Sequence, residues 1–367
     1  MRTLLLLLLF VAPRADTLQV MFWNVENYFD WRNDSTTVSD VEFSAAGERH
    51  WTWKRFQAKA NAFAKALFWV EAETGRLPDI IGLEEVENAF VLRQVLQKTA
   101  LRKLDYKYVH YDSPDRRGID VALLYRTSRL ELLDSKPCHL FSADTVMATR
   151  DILLCVFQRV GTPVMPDYDR ASIATFQEIP GQAGNDGAFA VLVNHHPSKY
   201  GGAAESEPRR RIAVERLRFL ADSLAAIGID RIIAGGDFND TPDHPVFRLL
   251  EPALAPMHMD LFLHGLGTIK FDGKWDLIDH IYVSPALLDA PMSAPASDSS
   301  SGVTGRQEDT IVAPSARARM RILRIPFLLT RDTVHSGEKP LRTYTGPRHT
   351  GGVSDHLPIL LEVPLPP

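Results

Sequence analysis

Polar residues at the ends of apolar runs carry the chemistry available to this chain. Ile229 to Ala234 reads as a buried strand, and Gly235-Gly236-Asp237-Phe238-Asn239-Asp240 follows it. The glycines permit a tight turn there. If the chain is still extended, Asp237 and Asn239 project to the same side. A carboxylate beside a carboxamide can grip a metal, a water or a phosphate. An Asx-rich turn accounts for the same residues equally well. The pattern recurs, however. Leu18 to Trp23 closes in Asn24-Val25-Glu26-Asn27, Asp79 to Leu83 in Glu84-Glu85-Val86-Glu87-Asn88, and Phe189 to Val193 in Asn194-His195-His196-Pro197-Ser198-Lys199. Asp279 sits inside the apolar run Trp275 to Val283. A buried carboxylate is costly without a donor, so a histidine is its expected partner. Asp355-His356 opens the last strand.

Sheets gather strand ends along one edge, so these residues are expected to share one cleft. It would be acidic enough for a hard divalent cation and would have histidines for proton transfer. Carboxylates and amide oxygens suit Mg²⁺, Mn²⁺ or Ca²⁺ better than zinc. Metal-assisted hydrolysis follows, and phosphoryl chemistry is a common use of such a site.

The elements that must position this set alternate between strand and helix. Phe56, Ala60, Phe63, Leu67 and Val70 predict a helix from about Lys54 to Glu73, stopped by Thr74-Gly75 and Pro78. A second helix follows Asn88 to about Leu104. Tyr106 to Tyr111 and Ile119 to Tyr125 form a hairpin with Arg116 and Arg117 at its tip. Leu130 to Leu133 and Ile152 to Val160 are strands. Gly161 to Gly187 reads as a long surface loop. Glu207 opens a helix to about Ile227, with Arg209, Arg210 and Arg211 near its start as a mainly solvated face. Pro242 to Leu250 is a short helix, and Trp275 to Val283 is read as one strand. Ala290 to Ala318, rich in Ala, Ser, Pro and Asp, reads as a mobile insertion. Arg321 to Leu329 and Leu341 to Tyr344 follow it.

The composition is that of a chain able to bury a full core: 45% hydrophobic and 24% charged, over 367 residues. A net charge of −5 argues against broad electrostatic capture of nucleic acid, though not against a local basic cleft. Met1-Arg2-Thr3 and the apolar run Leu4 to Ala12 read as a signal peptide over residues 1–15, which implies export to the periplasm or beyond. That run is too short to span a bilayer, and no other segment qualifies. Cys138 and Cys155 suit either one disulfide or two unpaired core residues.

Six motifs in order, across Val20 to Leu361, resemble the endonuclease/exonuclease/phosphatase superfamily. They are Trp23-Asn24-Val25-Glu26, Ile81-Gly82-Leu83-Glu84-Glu85-Val86, Asn194-His195, Gly236-Asp237-Phe238-Asn239, Ile278-Asp279-His280 and Ser354-Asp355-His356-Leu357-Pro358. Glu84 stands where glutamine is usual, and His196 where tryptophan is expected.

The resemblance implies an α/β (α+β) four-layer sandwich over residues 16–367, with two mixed β-sheets face to face and helices on both outer sides. It implies that Glu85 is the main ligand of Mg²⁺ (or Mn²⁺ or Ca²⁺), helped by Glu26 and Asp355. Asn24 and Asn239 become phosphate and transition-state contacts; apart from the resemblance, Arg117 and Lys199, with Arg116 and Arg342, are candidates to meet the backbone phosphates of a nucleic acid. His356 polarised by Asp279, Asp237, and His195 near the leaving oxygen become the proton-handling groups. The division of the base role between His356 and Asp237 is left open. An activated water would attack phosphorus in line.

The favoured reading is an exported, monomeric endonuclease acting on nucleic acid. The alternative is a phosphatase or phosphodiesterase for a small phosphoester or phospholipid head group, although no apolar hairpin for lipid contact is evident. A binding protein on an inactive scaffold is disfavoured by the intact motifs.

Overall fold

The computed structural model describes residues 17–34, 37–161, 187–199, 202–288 and 318–365. The expected signal peptide at 1–15, the stretch between Gly161 and Gly187 and the insertion before Ala318 lie outside them.

Two six-stranded mixed sheets form the centre. The first holds β1 (Thr17–Tyr28), β2 (Ile80–Val86), β3 (Tyr106–His110) and β4 (Asp120–Arg126). The second holds β5 (Leu130–Cys138), β6 (Ile152–Arg159), β7 (Phe189–His195), β8 (Ile232–Asp237), β9 (Ala255–Pro256) and β10 (Asp279–Val283). Two late strands, β11 (Arg319–Ile322) and β12 (Ile359–Pro364), return to the first. The orders are β11-β12-β1-β2-β4-β3 and β9-β10-β8-β7-β6-β5. The parallel pairs β1/β2 and β7/β8 lie at the centres of their sheets.

Alternation along each strand sets the layers. Val20 and Phe22 of β1 join Val191 and Val193 of β7 in the core between the sheets. Met21 and Trp23 face the other way, onto the helix α1 (Trp53–Thr74) through Phe56, Phe63 and Leu67. Ala190 and Leu192 face outward onto α3 (Ala203–Ala226) through Val214, Leu217 and Leu224. The helix α2 (Ala89–Lys98) joins the α1 side. The result is helix, sheet, sheet, helix, as the resemblance implies. Thr52 caps α1 by accepting from the Arg55 N–H, and Gly75 ends it at φ 82°.

The sheets approach closely beneath the strand ends. Phe22 lies over Gly82 and against Gly235 of the opposite sheet. A Cβ on either glycine would stand 2.4 Å from the Phe22 ring.

Several boundaries differ from expectation. Trp275 to Val283 is two strands: Lys274–Asp276 pairs with Ile269–Phe271 as a separate hairpin, and β10 begins at Asp279. The apolar run continues across the break because Leu277 is buried in the core rather than in a ladder. The helix expected from Glu207 begins at Ala203, so Pro208 lies inside it, in the second turn. Arg210 is not on a solvated face: it is buried and pairs with Asp240 at 3.1 Å. Cys138 and Cys155 are both buried free thiols, and burial raises the Cys138 pKa to about 11. Among the described residues no helix is long and apolar enough to cross a membrane.

Candidate active site

Both sheets deliver residues to one cleft. From the first come Asn24 and Glu26 at the end of β1, Glu85 near the end of β2, and Asp355 and His356 just before β12. From the second come His195 ending β7, Asp237 ending β8, and Asp279 opening β10.

The strand ends are not extended, as the spacing of Asp237 and Asn239 had suggested. Glu26, Asn27, Glu85 and Asn239 all have left-handed backbones, at φ 49°, 49°, 66° and 53°. Such angles are uncommon for residues with a side chain. Local hydrogen bonds hold them: Asn24 Oδ1 accepts the Glu26 N–H at 2.9 Å, Glu85 Oε2 accepts the Asn27 N–H at 2.7 Å, and Asp237 Oδ1 accepts the Asn239 N–H at 2.8 Å. The Asx turn and the chemical site are therefore the same structure.

Asp237 Oδ2 is the meeting point. Asn24 Nδ2 donates to it at 3.1 Å, and the Nε2 atoms of His195 and His356 stand at 3.6 and 3.9 Å. Burial pushes the Asp237 carboxyl up to about 7, His356 opposes this and Asp279 adds to it. His356 Nδ1 lies 2.8 Å from Asp279 Oδ2, the partner expected for that buried acid. Thr268 Oγ1 donates to the same oxygen. Burial pulls the His356 pKa down, but Asp279, then Asp237 and Asp355, raise it well above the ordinary value. His195 behaves oppositely. Burial, then the charges of Arg150 and Arg117, lower its pKa well below normal, so it is neutral. Its Nδ1 has no partner and its Nε2 faces Asp237 and Glu85, the latter at 3.8 Å, which places its proton on Nε2.

The acidic side is arranged differently. Glu26 Oε1 accepts from Arg342 at 3.0 Å and its Oε2 from the Thr343 N–H at 2.7 Å. Arg342 also reaches Asp355 Oδ2 at 2.8 Å. Below them the buried Lys59 donates to the Glu26 carbonyl at 2.6 Å and to Thr343 Oγ1 at 2.9 Å. Burial, then Asp355, raises Glu26 to about 7 even with both cations present. Burial lowers Lys59 to about 8, opposed by Glu26.

An all-oxygen carboxylate set that is still short of positive charge fits a hard divalent cation, and Glu26, Glu85 and Asp355 would hold it. Among the described residues, the acidic group whose ligand atoms all lie within 4.8 Å of one another is a different one: His110, Asp112 and Asp120. There the side chains of His110 and Asp120 are buried and 3.1 Å apart, while Asp112 is exposed and 3.9 Å from His110.

The expected phosphate contacts are engaged within the protein. Asn24 spans Glu26 and Asp237, Asn239 Nδ2 donates to the His196 carbonyl at 3.0 Å, Lys199 meets Asp240 at 2.6 Å, and Arg117 lies 3.6 Å from Asp115. Asn24 thus positions the Asp237 carboxylate rather than facing open space. His196 is buried against Phe238, with ring centroids 4.4 Å apart.

Glu84 lies fully buried beneath the cleft with neither oxygen partnered. Burial, then Asp279 and Asp237, raises its pKa far above normal, so it is a neutral acid where the motif usually has a neutral amide. Gly236 makes room for it: a Cβ there would stand 2.8 Å from Glu84 Oε1.

Sequence reasoning missed Lys59, Thr268 and Arg150. Lys59 had a signal, a lysine on the buried stripe between Phe56 and Phe63. Arg150 donates to Asp115 and to the His196 carbonyl; no local pattern marks it or Thr268. A short, largely charged hairpin beside the site carries one exposed aromatic residue. The hairpin Ile269–Phe271/Lys274–Asp276 leaves the site at Thr268, Ile269 bridges to His356, and Phe271 at its tip is 74% exposed.

The model of the endonuclease/exonuclease/phosphatase family matches residues 19–162 and 172–364. No curated protein sequence matches the chain. Among solved structures, an endonuclease/exonuclease/phosphatase family protein of Bacteroides thetaiotaomicron is 17% identical with a TM-score of 0.51, covering 95% of this chain and 97% of that one. Truncated TDP2 of Caenorhabditis elegans is 13% identical at 0.51, covering 95% and 97%. A mannosyl-6-phosphatase of Bacteroides thetaiotaomicron is 15% identical at 0.50, covering 94% and 99%. At these identities the structures share the fold. The family match extends over most of the chain: it belongs to the endonuclease/exonuclease/phosphatase family, whose members hydrolyse phosphoric esters with a divalent metal.

Proposed function

We propose that the protein is an exported, monomeric, Mg²⁺-dependent endonuclease that hydrolyses phosphodiester bonds of nucleic acid. The observation that carries the hydrolytic reading is the convergence of His195, Asn24 and His356 on Asp237 Oδ2, beside the three carboxylates. A bound divalent cation supplies Lewis-acid polarisation of the phosphoryl oxygens.

The chain's own residues do the rest. Asp237, with a pKa of about 7, accepts the proton of the attacking water near neutrality. The carboxylates of Asp279, then Asp237 and Asp355, favour the charged form of His356, and Asp279 orients that positive charge to stabilise the phosphorane-like transition state. Neutral His195 has an Nε2 proton to hydrogen-bond a phosphoryl oxygen. Arg117 and Arg342, each partly exposed, supply positive charge at the cleft mouth.

A second reading, hydrolysis of a small phosphoester or phospholipid head group, is favoured by a different observation. Phe271 and, on the neighbouring segment, Val334 at 78% exposure give an apolar rim beside His356. A panel decides between them: supercoiled DNA, single-stranded DNA, RNA, phospholipid vesicles and small phosphate esters, each with Mg²⁺, Mn²⁺, Ca²⁺ or EDTA. EDTA-sensitive nicking of DNA is the expected result. Turnover confined to lipids or small esters would overturn the nuclease reading.

A further inference from the structure

Two cations serve the acidic side of the site, and they are held in opposite ways. Lys59 is fully buried and fixed on two oxygens, the Glu26 carbonyl and Thr343 Oγ1. Arg342 is held by its backbone and, at its partly exposed guanidinium, by the two carboxylates alone. Its carbonyl accepts from Thr350 Oγ1, and the next N–H, of Thr343, is bound to Glu26 Oε2. Its side chain is 49% exposed and ends between two carboxylates, Glu26 Oε1 at 3.0 Å and Asp355 Oδ2 at 2.8 Å.

We propose that Arg342 is an exchangeable counter-cation: its guanidinium bridges and neutralises Glu26 and Asp355 until a divalent cation takes those two carboxylates, and it is then released to pair with the phosphoester anion. This rests on the assignment of Glu26, Glu85 and Asp355 to the metal.

The physical case is one of competition. A guanidinium is always charged, so it cannot leave the site by losing a proton. The carboxylate oxygens that it occupies are ones the metal needs. Guanidinium and metal therefore oppose each other in the same place, and the opposition is reciprocal: whatever Arg342 costs the metal, the metal costs Arg342. The partly solvated side chain gives the displaced guanidinium a route towards the cleft mouth. There a phosphate diester offers the paired oxygens that the fork prefers. Lys59 has no such route and stays. The protein thus holds its acidic ligands together without metal and gains a free phosphate-binding arginine with it.

Mn²⁺ affinity tests the proposal, measured by titration calorimetry and by the spin resonance of free Mn²⁺, for the wild type, Arg342→Ala, Arg342→Lys and Glu85→Gln. Arg342→Ala is expected to bind Mn²⁺ about tenfold tighter, within the usual span of coupling between two ligands. Its KM for a phosphodiester should rise at the same time. Arg342→Lys, which keeps charge but loses the fork, should fall between. Without metal, Arg342→Ala should melt below the wild type, and saturating Mn²⁺ should remove most of the difference. Equal or weaker Mn²⁺ binding by Arg342→Ala overturns the proposal. Should Arg342→Ala fail to fold, wild-type or weaker affinity in Arg342→Lys overturns it equally. Glu85→Gln separates the two levels. If it binds Mn²⁺ as the wild type does, the metal assignment itself is wrong. If it binds weakly while Arg342→Ala gains nothing, only the exchange proposal fails.

Discussion

On the side of the first sheet, Glu26, Glu85 and Asp355 are balanced by two cations laid against them, Lys59 below and Arg342 above. Where the second sheet meets it, Asp237 and Asp279 crowd together with Glu84 and His356, both contributed by the first, and His356 is the close cation. There the balance is made by moving protons: Glu84 keeps one, Asp237 is poised near neutrality, and His356 takes one. The first half is built to hold a charge that comes from outside, the second to shift charge within. A cluster of buried acids can thus be stabilised by counter-ions or by protonation, and this cleft uses both within one hydrogen bond's reach.

The comparison breaks most plainly at Asp237. Asp237→Asn should lower kcat by about 10²–10⁴, the usual span for a lost general base, while leaving Mn²⁺ affinity close to that of the wild type. Loss of Mn²⁺ binding to the degree seen in Glu85→Gln would show that the halves are not separate.

The contact between the halves is broken by Gly235→Ala. The added methyl meets the Phe22 ring at 2.4 Å, and an overpacked core of this kind costs about 1–3 kcal/mol. The expected result is a lower denaturant midpoint together with reduced activity, partly restored by Phe22→Leu. An unchanged midpoint would mean that the sheets have slack there.

A pH series sharpens the difference. Glu26 and Asp237 rise from ordinary values of 4.5 and 3.8 to about 7 in the folded chain. Between those values these two groups bind more protons in the folded state than in the unfolded one, so their share of the stability of metal-free protein should fall as pH rises through that window. Mg²⁺ should flatten the Glu26 share of the slope and leave the Asp237 share. Because the buried histidines His195, His196, His258 and His280 contribute the opposite sign, the reading is melting temperature against pH for the wild type relative to Glu26→Gln and Asp237→Asn, with EDTA and with Mg²⁺, and a metal-free difference of the opposite sign would refute the assignment.

The smallest effect belongs to Glu84→Gln. If the acid is neutral already, the amide should change kcat by no more than a few fold. A loss like that of Asp237→Asn would mean that Glu84 works as an ionised group.

The central strands were legible because their apolar runs, buried on both faces, stand out from the polar stretches between them, while the four layers came from the family resemblance. The site was legible because polar groups at the ends of apolar runs have few structural reasons to recur. What escaped had no one-dimensional trace. The left-handed turns at Glu26, Glu85 and Asn239 reverse the assumption that residues two apart on an extended chain share a face. Lys59 is the exception, its one trace being a place on the buried stripe of α1 that the rule assigning lysines to surfaces overrides. Arg210 fails the same rule because Asp240 accompanies it inward. Lys199 and Asn239 were expected to face the substrate, and both have partners in the chain that only the tertiary structure supplies.

The ties that complete the cleft join distant parts of the chain. The Asn24 carbonyl accepts from the Ser354 hydroxyl 330 positions later, and the Trp23 indole N–H donates to the His356 carbonyl at 3.0 Å. His356 reaches its place only when β12 pairs with β1. During synthesis, the strands bearing Asn24, Glu85, His195 and Asp237 all emerge well before the histidine they await. A chain in which β12 has not yet paired with β1 therefore lacks His356 at the cleft, and the site is completed by the last strand rather than strand by strand.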